Sequence, residues 1–217
     1  MKTILALALL ASAALGGCKG SETTGPGGPP GKENPPAQIT ERDNFIAAFD
    51  KIGLEKAPSL GPVYREFLLA AYDKNFDKAW EIINQPSKNA LTKELPGKIV
   101  ELEKLTKKME AELRKPGISS AARDFYTRSV AEQKALAGQL KSFNGDGKKY
   151  FAFAVEKTAA GRLSAEILSQ MEITGETING DRGTIALKHK DAGTTGEVPF
   201  TLENGAWKFD FMETTAP

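Results

Sequence analysis

Two side chains are singular in this chain: Cys18 is its only thiol and His189 its only imidazole. A lone thiol forms no internal disulfide, and a lone imidazole anchors no His-rich metal site. Cys18 therefore either takes its role from its place at the end of the leader or is an idle thiol there. It stands where a run of small residues, Ala11 to Gly17, closes the apolar stretch Ile4 to Leu10 behind Lys2. Any Ser–His–Asp or Cys–His relay would have to be built on His189. That residue falls near a turn, on a strand beside apolar neighbours, which predicts a structural or partly exposed role. Trp80 and Trp207 are of a type that lines ligand pockets, but core packing is the favoured reading. Asp146, within Asn144-Gly145-Asp146-Gly147, superficially suggests a calcium loop; the repeated acidic ligands and closing Glu are missing. The glycines of GPGGPPG are broken by proline and no helix follows, so they form no phosphate cradle. The sequence therefore selects no catalytic, cofactor-binding or metal-binding residue.

Residues 1–17, MKTILALALLASAALGG, have the positive start, apolar middle and small-residue close of a secretion signal. The alternative, a transmembrane anchor, needs roughly 17–25 apolar residues, and the run ends well before that. Leu15-Gly16-Gly17-Cys18 resembles the lipobox of bacterial lipoproteins. The resemblance implies cleavage between Gly17 and Cys18, and lipid attachment at Cys18 by two or three acyl chains of the palmitate class. Each buried CH₂ contributes about 0.8 kcal/mol, so one chain holds marginally and several hold stably. Lys19 stands where an inner-membrane retention signal would place Asp. The resemblance therefore implies an outer-membrane rather than an inner-membrane destination.

Residues 18–38 read as the lipidated Cys and a tether. KGSETTGPGGPPGKENPPAQ has no apolar periodicity and cannot offset the entropy of ordering. Extended as polyproline it would reach roughly 60 Å, and as a coil about 25 Å. The spacer reading displaces that of a Pro-rich ligand, because no clean P-x-x-P with basic flanks stands out. Charge is balanced, at 29 Lys plus Arg against 28 Asp plus Glu. That balance gives no general grip on nucleic acid or an acidic membrane surface.

The α+β domain is assigned to 39–217. Helical spacing begins at Thr40 with Phe45, Ile46, Phe49 and Ile52, and Gly53 is a stop. Pro62 suits a first helical turn before the stripe Val63, Phe67, Ala70 and Ala71. Asn75 is a break before Phe76, Ala79, Trp80 and Ile83. Gln85-Pro86-Ser87 reads as a turn. From Pro96 to Leu113, the positions Ile99, Leu102, Thr106, Met109 and Leu113 form a coiled-coil-like seam. Pro116-Gly117 ends it, and Ser119 or Ser120 caps a return helix to about Phe143, with Phe125, Val130, Leu136, Leu140 and Phe143 as buried candidates. A helical hairpin near 96–143 follows. Residues 98–149 hold twelve basic and seven acidic side chains, mostly alternating in sign, which reads as solvated faces with local ion pairs.

Tyr150 to Val155 fits a strand or a helix start, and Arg162 to Leu168 selects neither. Four strands are expected after that: Gln170–Ile178, Arg182–Lys190, Gly196–Leu202 and Ala206–Met212. Their Asn-Gly turns favour an antiparallel meander. Ile185, Leu187 and His189 share one face against Thr184, Lys188 and Lys190. Trp207, Phe209 and Phe211 share one against Lys208 and Asp210. A sheet buried on one face needs helices over it. The expected architecture is α+β, with N-terminal helices and a long helical hairpin packed on a C-terminal antiparallel sheet of about four strands.

The strand GDRGTIAL at 180–187 and the segment VPFTLENGAWKF at 198–209 resemble the closing strands of the nuclear-transport-factor-two-like superfamily, in particular its bacterial lipoproteins. The resemblance covers about residues 170–212 and implies helices packed into a curved sheet as a cone. Some enzymes of that superfamily use one buried carboxylate in the cone, for which Glu166, Glu172 or Asp124 are the candidates; nothing selects one. Fold likeness does not carry function. The sequence leads to a membrane-anchored envelope lipoprotein that binds an envelope protein or a small apolar ligand without cofactor or nucleic acid. The alternative is a small-molecule cone with isomerase- or hydrolase-like activity.

Overall fold

The computed structural model describes residues 40–157 and 163–213. Residues 1–17, expected to be a secretion signal, Cys18, the expected tether at 19–38 and Arg162 lie outside the described residues. Among the described residues, seven α-helices precede a four-stranded antiparallel meander of order β1-β2-β3-β4, the α+β arrangement expected. No described helix is long and apolar enough to cross a membrane.

Helix α1 (Glu41–Phe49) opens on a reciprocal cap: Asp43 N–H donates to the Thr40 hydroxyl, and Thr40 N–H donates to the Asp43 carboxylate. Gly53 ends the segment with φ of 88°, where an added Cβ would meet the Ile173 carbonyl oxygen at 3.0 Å. A 3₁₀ turn (Leu54–Lys56) leads to α2 (Gly61–Tyr72), with Pro62 in its first turn, and Asn75 caps α3 (Phe76–Ile82).

The next helix departs from expectation. Gln85-Pro86-Ser87 is no turn but the first turn of α4 (Gln85–Leu113), 29 residues long. Asn84 caps it by accepting from Ser87 N–H, and Pro86 sits where a helix leaves the backbone N–H unused. Pro96, expected to start the hairpin, lies inside the helix on its exposed side. The hairpin's first arm is thus eleven residues longer than expected, and spans about 43 Å. Ser119 caps the return helix α5 (Ser120–Ser142). Asn144 and Gly145 turn at positive φ, and Asp146 then accepts from the N–H groups of Lys148 and Lys149 at the start of α6 (Gly147–Lys157). Tyr150 to Val155 is helical. Gly147 abuts α4: an added Cβ would lie 3.1 Å from the Thr92 backbone nitrogen and 3.2 Å from its Cα. Helix α7 (Ala165–Ser169) ends the helical part.

The strands are β1 (Met171–Asn179), β2 (Arg182–His189), β3 (Thr195–Glu203) and β4 (Ala206–Phe209). Asn204 and Gly205 both have positive φ, as the type I′ hairpin requires. A bulge between Ile173 and Gly175 shifts the β1 register, so Glu176 and Ile178 lie opposite Ile185 and Gly183. Glu176 then accepts from Ser59 and Leu60 N–H and holds the entry to α2 against the sheet. Strand β4 stops at Phe209, three residues short of expectation. The chain turns there, and the Asp210 carboxylate accepts from Glu213 N–H. Ile83 and Asn84 run beside β4 and cover its edge, Asn84 N–H donating to the Phe209 carbonyl at 2.9 Å.

The core lies between the helices and the inner face of the sheet. Phe45, Phe49, Phe67, Phe151, Phe200 and Phe209 are its largest fully buried side chains. Phe67 and Phe209 meet edge to face at 4.5 Å, and Phe151 and Phe211 at 5.2 Å. Gly183 has no side chain because Leu60 needs the room: an added Cβ would meet Leu60 Cδ1 at 2.9 Å and Trp207 Cζ3 at 3.3 Å.

Candidate functional site

His189 is buried at the end of β2, and its Nδ1 accepts from Ala192 N–H at 3.2 Å. The imidazole thereby organises the β2–β3 turn. The half-buried ring of Trp80 lies 5.4 Å from Phe151, with the Lys88 ammonium 5.8 Å from its own centroid. Desolvation, reinforced by Lys208, holds the Lys88 ammonium below the ordinary lysine range. Trp207 lies against Gly183. Neither tryptophan lines either of the two grooves described below.

None of the carboxylates expected to serve a cone is buried. Glu166 and Asp124 are exposed. Glu172 pairs with Lys56 at 2.8 Å on the surface, and the hydrogen bond from Lys56 holds its carboxyl below the usual range. The buried carboxylate is instead Asp210, expected beside Lys208 on the solvent side and only 3% exposed. Period-two alternation gave no warning, because Asp210 continues the β3 pairing through its N–H to Pro199 while the N-terminus of α4 covers its side chain.

Three polar groups bolt α4 to the sheet. Ser87 hydroxyl donates to Asp210 at 3.1 Å and accepts from Met212 N–H at 3.1 Å. Asn84 amide donates to the Thr201 hydroxyl at 3.4 Å, and Glu203 accepts from Gln85 N–H at 2.9 Å. Arg182 at the start of β2 approaches Asp210 at 3.5 Å and Glu213 at 3.1 Å. Two carboxylates and a capping amide at one helix N-terminus complement its dipole. A serine beside a buried aspartate has the look of a nucleophile and its partner. The imidazole that would complete it sits at the opposite end of β2, seven residues or about 23 Å from Arg182. The bolt therefore makes no relay with His189.

Two solvent-open grooves flank these elements. One, about 260 Å³, lies against the outer face of the sheet between Arg182, Thr184, Glu197, Pro199 and Glu213. The other, about 360 Å³, runs between α4 and α5 where Thr106 faces Ala137 and Gly138. Ion pairs Lys141–Glu103 and Lys134–Glu110 cross it. Each lysine's hydrogen bond holds the paired glutamate below its ordinary range. Thr106 is buried with its hydroxyl donating to the Leu102 carbonyl, while Gln133 Oε1 is buried without a hydrogen-bond partner among the described residues.

The hairpin seam stays closed outward to Thr106 and Val130, both buried, but only its inner part joins the main core. Leu95 is fully buried, Ile99, Leu102, Leu136 and Phe143 pack partly against the core, and no hairpin residue between Leu102 and Leu136 joins it. The end carrying residues 104–128 therefore stands away from the main core, and Leu113 lies about 16 Å along α4 from Leu102. Phe125, expected to be buried, is 56% exposed there. It shares a stripe with Leu136 and Phe143, but α6 covers only the inner part of that stripe, through Phe153 against Phe143 at 5.8 Å.

No group of three or more His, Cys, Asp or Glu side chains among the described residues could hold a metal ion. No family model, curated protein or solved structure matches the chain.

Proposed function

We propose that this chain is a bacterial envelope lipoprotein: exported by residues 1–17, cleaved before Cys18, acylated there, and held by the tether with its α+β body at the membrane surface. The outer membrane is the destination. The observation that carries this reading is the sequence Leu15-Gly16-Gly17-Cys18, which holds the chain's single thiol directly after an apolar signal. The likeness of residues 170–212 to the nuclear-transport-factor-two-like superfamily belongs to the same proposal and rests on the strand motifs alone.

The body binds a partner or a small apolar ligand rather than turning over a substrate. What supports this is the filling of the space between helices and sheet by the fully buried Phe67, Phe151, Phe200 and Phe209, together with the employment of Asp210 in the helix bolt and of His189 in a turn. Expressed in a bacterium fed a labelled fatty acid, the wild-type chain incorporates label and fractionates with membranes. Cys18→Ser abolishes incorporation and processing. Label retained by Cys18→Ser, or none taken up by the wild type, removes the lipoprotein reading.

A further inference from the structure

The near-neutral charge of the chain conceals a segregation that the fold exposes. Residues 104–128 hold seven Lys plus Arg and three Asp plus Glu, a net of +4, so the rest of the chain, with 22 against 25, carries −3. The twelve basic side chains of 98–149 divide sharply. Lys98, Lys115, Lys134, Lys141, Lys148 and Lys149 have carboxylate partners. Lys104, Lys107, Lys108, Arg114, Arg123 and Arg128 have none within 4 Å among the described residues, and all six are exposed. They all lie on the outer end of the hairpin. Two of the three carboxylates there are already engaged, Glu110 by Lys134 and Glu112 by Lys115; Asp124 is the remaining one.

We propose that this hairpin tip is a docking element for an anionic phospholipid surface, made without covalent lipid. Charge complementarity names the occupant's sign, and the arrangement names its kind. Along α4, Lys104, Lys107 and Lys108 stand at i, i+3 and i+4 and share one face, with Arg114 two turns beyond Lys107 on the same side. Arg123 and Arg128 stand on different sides of α5. The four cations of α4 thus line one face over about 15 Å, an extended basic strip that suits a continuous layer of mobile anionic headgroups better than a compact acidic site on a folded partner. Phe125, exposed and edge-on to Tyr126 at 5.5 Å, adds an aromatic of the kind that settles at the headgroup level. The proposal stands whether or not Cys18 is acylated.

The test is flotation of the full chain with vesicles of phosphatidylcholine alone or with about 30% phosphatidylglycerol, at low and high salt. Lys107, Lys108, Arg114 and Arg123 are changed together to Gln in one variant. Lys51, Lys93, Lys157 and Lys188 are changed together in a charge-matched control. The leader is common to all chains and cancels in the comparison. The wild type and the control bind the anionic vesicles more tightly than the neutral ones, and salt removes the difference. The tip variant loses about 30-fold in anionic-vesicle affinity if two of its four cations lie near the surface. Equal binding to both vesicles, or an equal loss in the control, overturns the proposal. A tip variant that keeps its vesicle affinity but no longer binds polyglutamate overturns it in favour of an acidic protein. Circular dichroism establishes that each variant is folded. Should the tip variant fail to fold, Phe125→Ser replaces it, with weaker anionic-vesicle binding expected and unchanged binding counting against the proposal.

Discussion

Replacing Asp210 tests whether the N-terminus of α4 is bolted to the sheet as described. Asp210→Ala removes the acceptor for Ser87 hydroxyl and Glu213 N–H at a site 3% exposed. A hydrogen bond to a charged group contributes about 1.5–3 kcal/mol, and a buried donor left unsatisfied costs about 1–3 kcal/mol. Arg182 is more than half exposed, so its share is at most about 1 kcal/mol. The Glu213 N–H reaches water more readily than the Ser87 hydroxyl, so the Ser87 bond dominates. The expected loss is about 2–4 kcal/mol, which in a domain of this size lowers Tm by roughly 5–15 °C. Asp210→Asn keeps an acceptor of the same shape and costs about 1 kcal/mol. Urea unfolding of both variants, followed by circular dichroism, gives the two numbers, with an unchanged slope indicating an intact native fold. A loss under about 0.5 kcal/mol for Asp210→Ala refutes the bolt. Equal losses in the two variants would mean that the charge, not the hydrogen bonds, holds the site. A double cycle of Ser87→Ala with Asp210→Asn should show coupling of at least about 0.5 kcal/mol.

Gly147→Ala pushes a methyl group into the Thr92 backbone. Overpacking of that kind costs about 1–3 kcal/mol, measurable as a lower urea midpoint. The opposite is expected of Phe125→Ser, which at 56% exposure should shift stability by no more than about 0.5 kcal/mol, against about 2–5 kcal/mol for the buried Leu140→Ala. Glu103 and Glu110 have lowered folded-state pKa values, so their pairing stabilises the hairpin above the ordinary glutamate value of about 4.3, and that stability is lost as pH falls through the lowered values. Amide exchange in α4 and α5 should accelerate on acidification through that window, more at the outer end than near Leu95 and Leu140. Exchange that is uniform along both helices would contradict this.

The sheet was legible because its signals are local. Alternation at Ile185, Leu187 and His189, with Gly at each turn, placed β2 and β3 to within a residue. The hairpin was legible in kind but not in extent. Proline tolerates both a turn and a first helical turn, and an exposed proline survives inside a long helix whose other contacts hold it. Pro86 and Pro96 therefore carried the wrong boundary. Phe125 shows a different limit. Helical spacing tells which residues share a face, but not how far the covering element reaches, and α6 ends its cover at Phe143.

The same distinction separates the parts of function that a sequence displays from those it hides. The likeness of Leu15-Gly16-Gly17-Cys18 to a lipobox is contiguous, because machinery that reads such a signal meets an extended chain and four neighbouring residues suffice to carry it. Ser87 and Asp210 are 123 positions apart and acquire a relation only when α4 is laid along β4. Charge behaves in both ways. Composition shows a balanced chain, and alternation of sign along α4 and α5 suggests neutral faces. Which cations are neutralised depends on the hairpin stagger, which spends Lys134 on Glu110 and Lys141 on Glu103. Those pairs consume Glu103 and, within the outer end itself, Glu110, while six cations there have no carboxylate within 4 Å among the described residues. A stagger changed by one helical turn would redistribute them, so the basic tip is a property of the packed hairpin, and composition alone could not have revealed it.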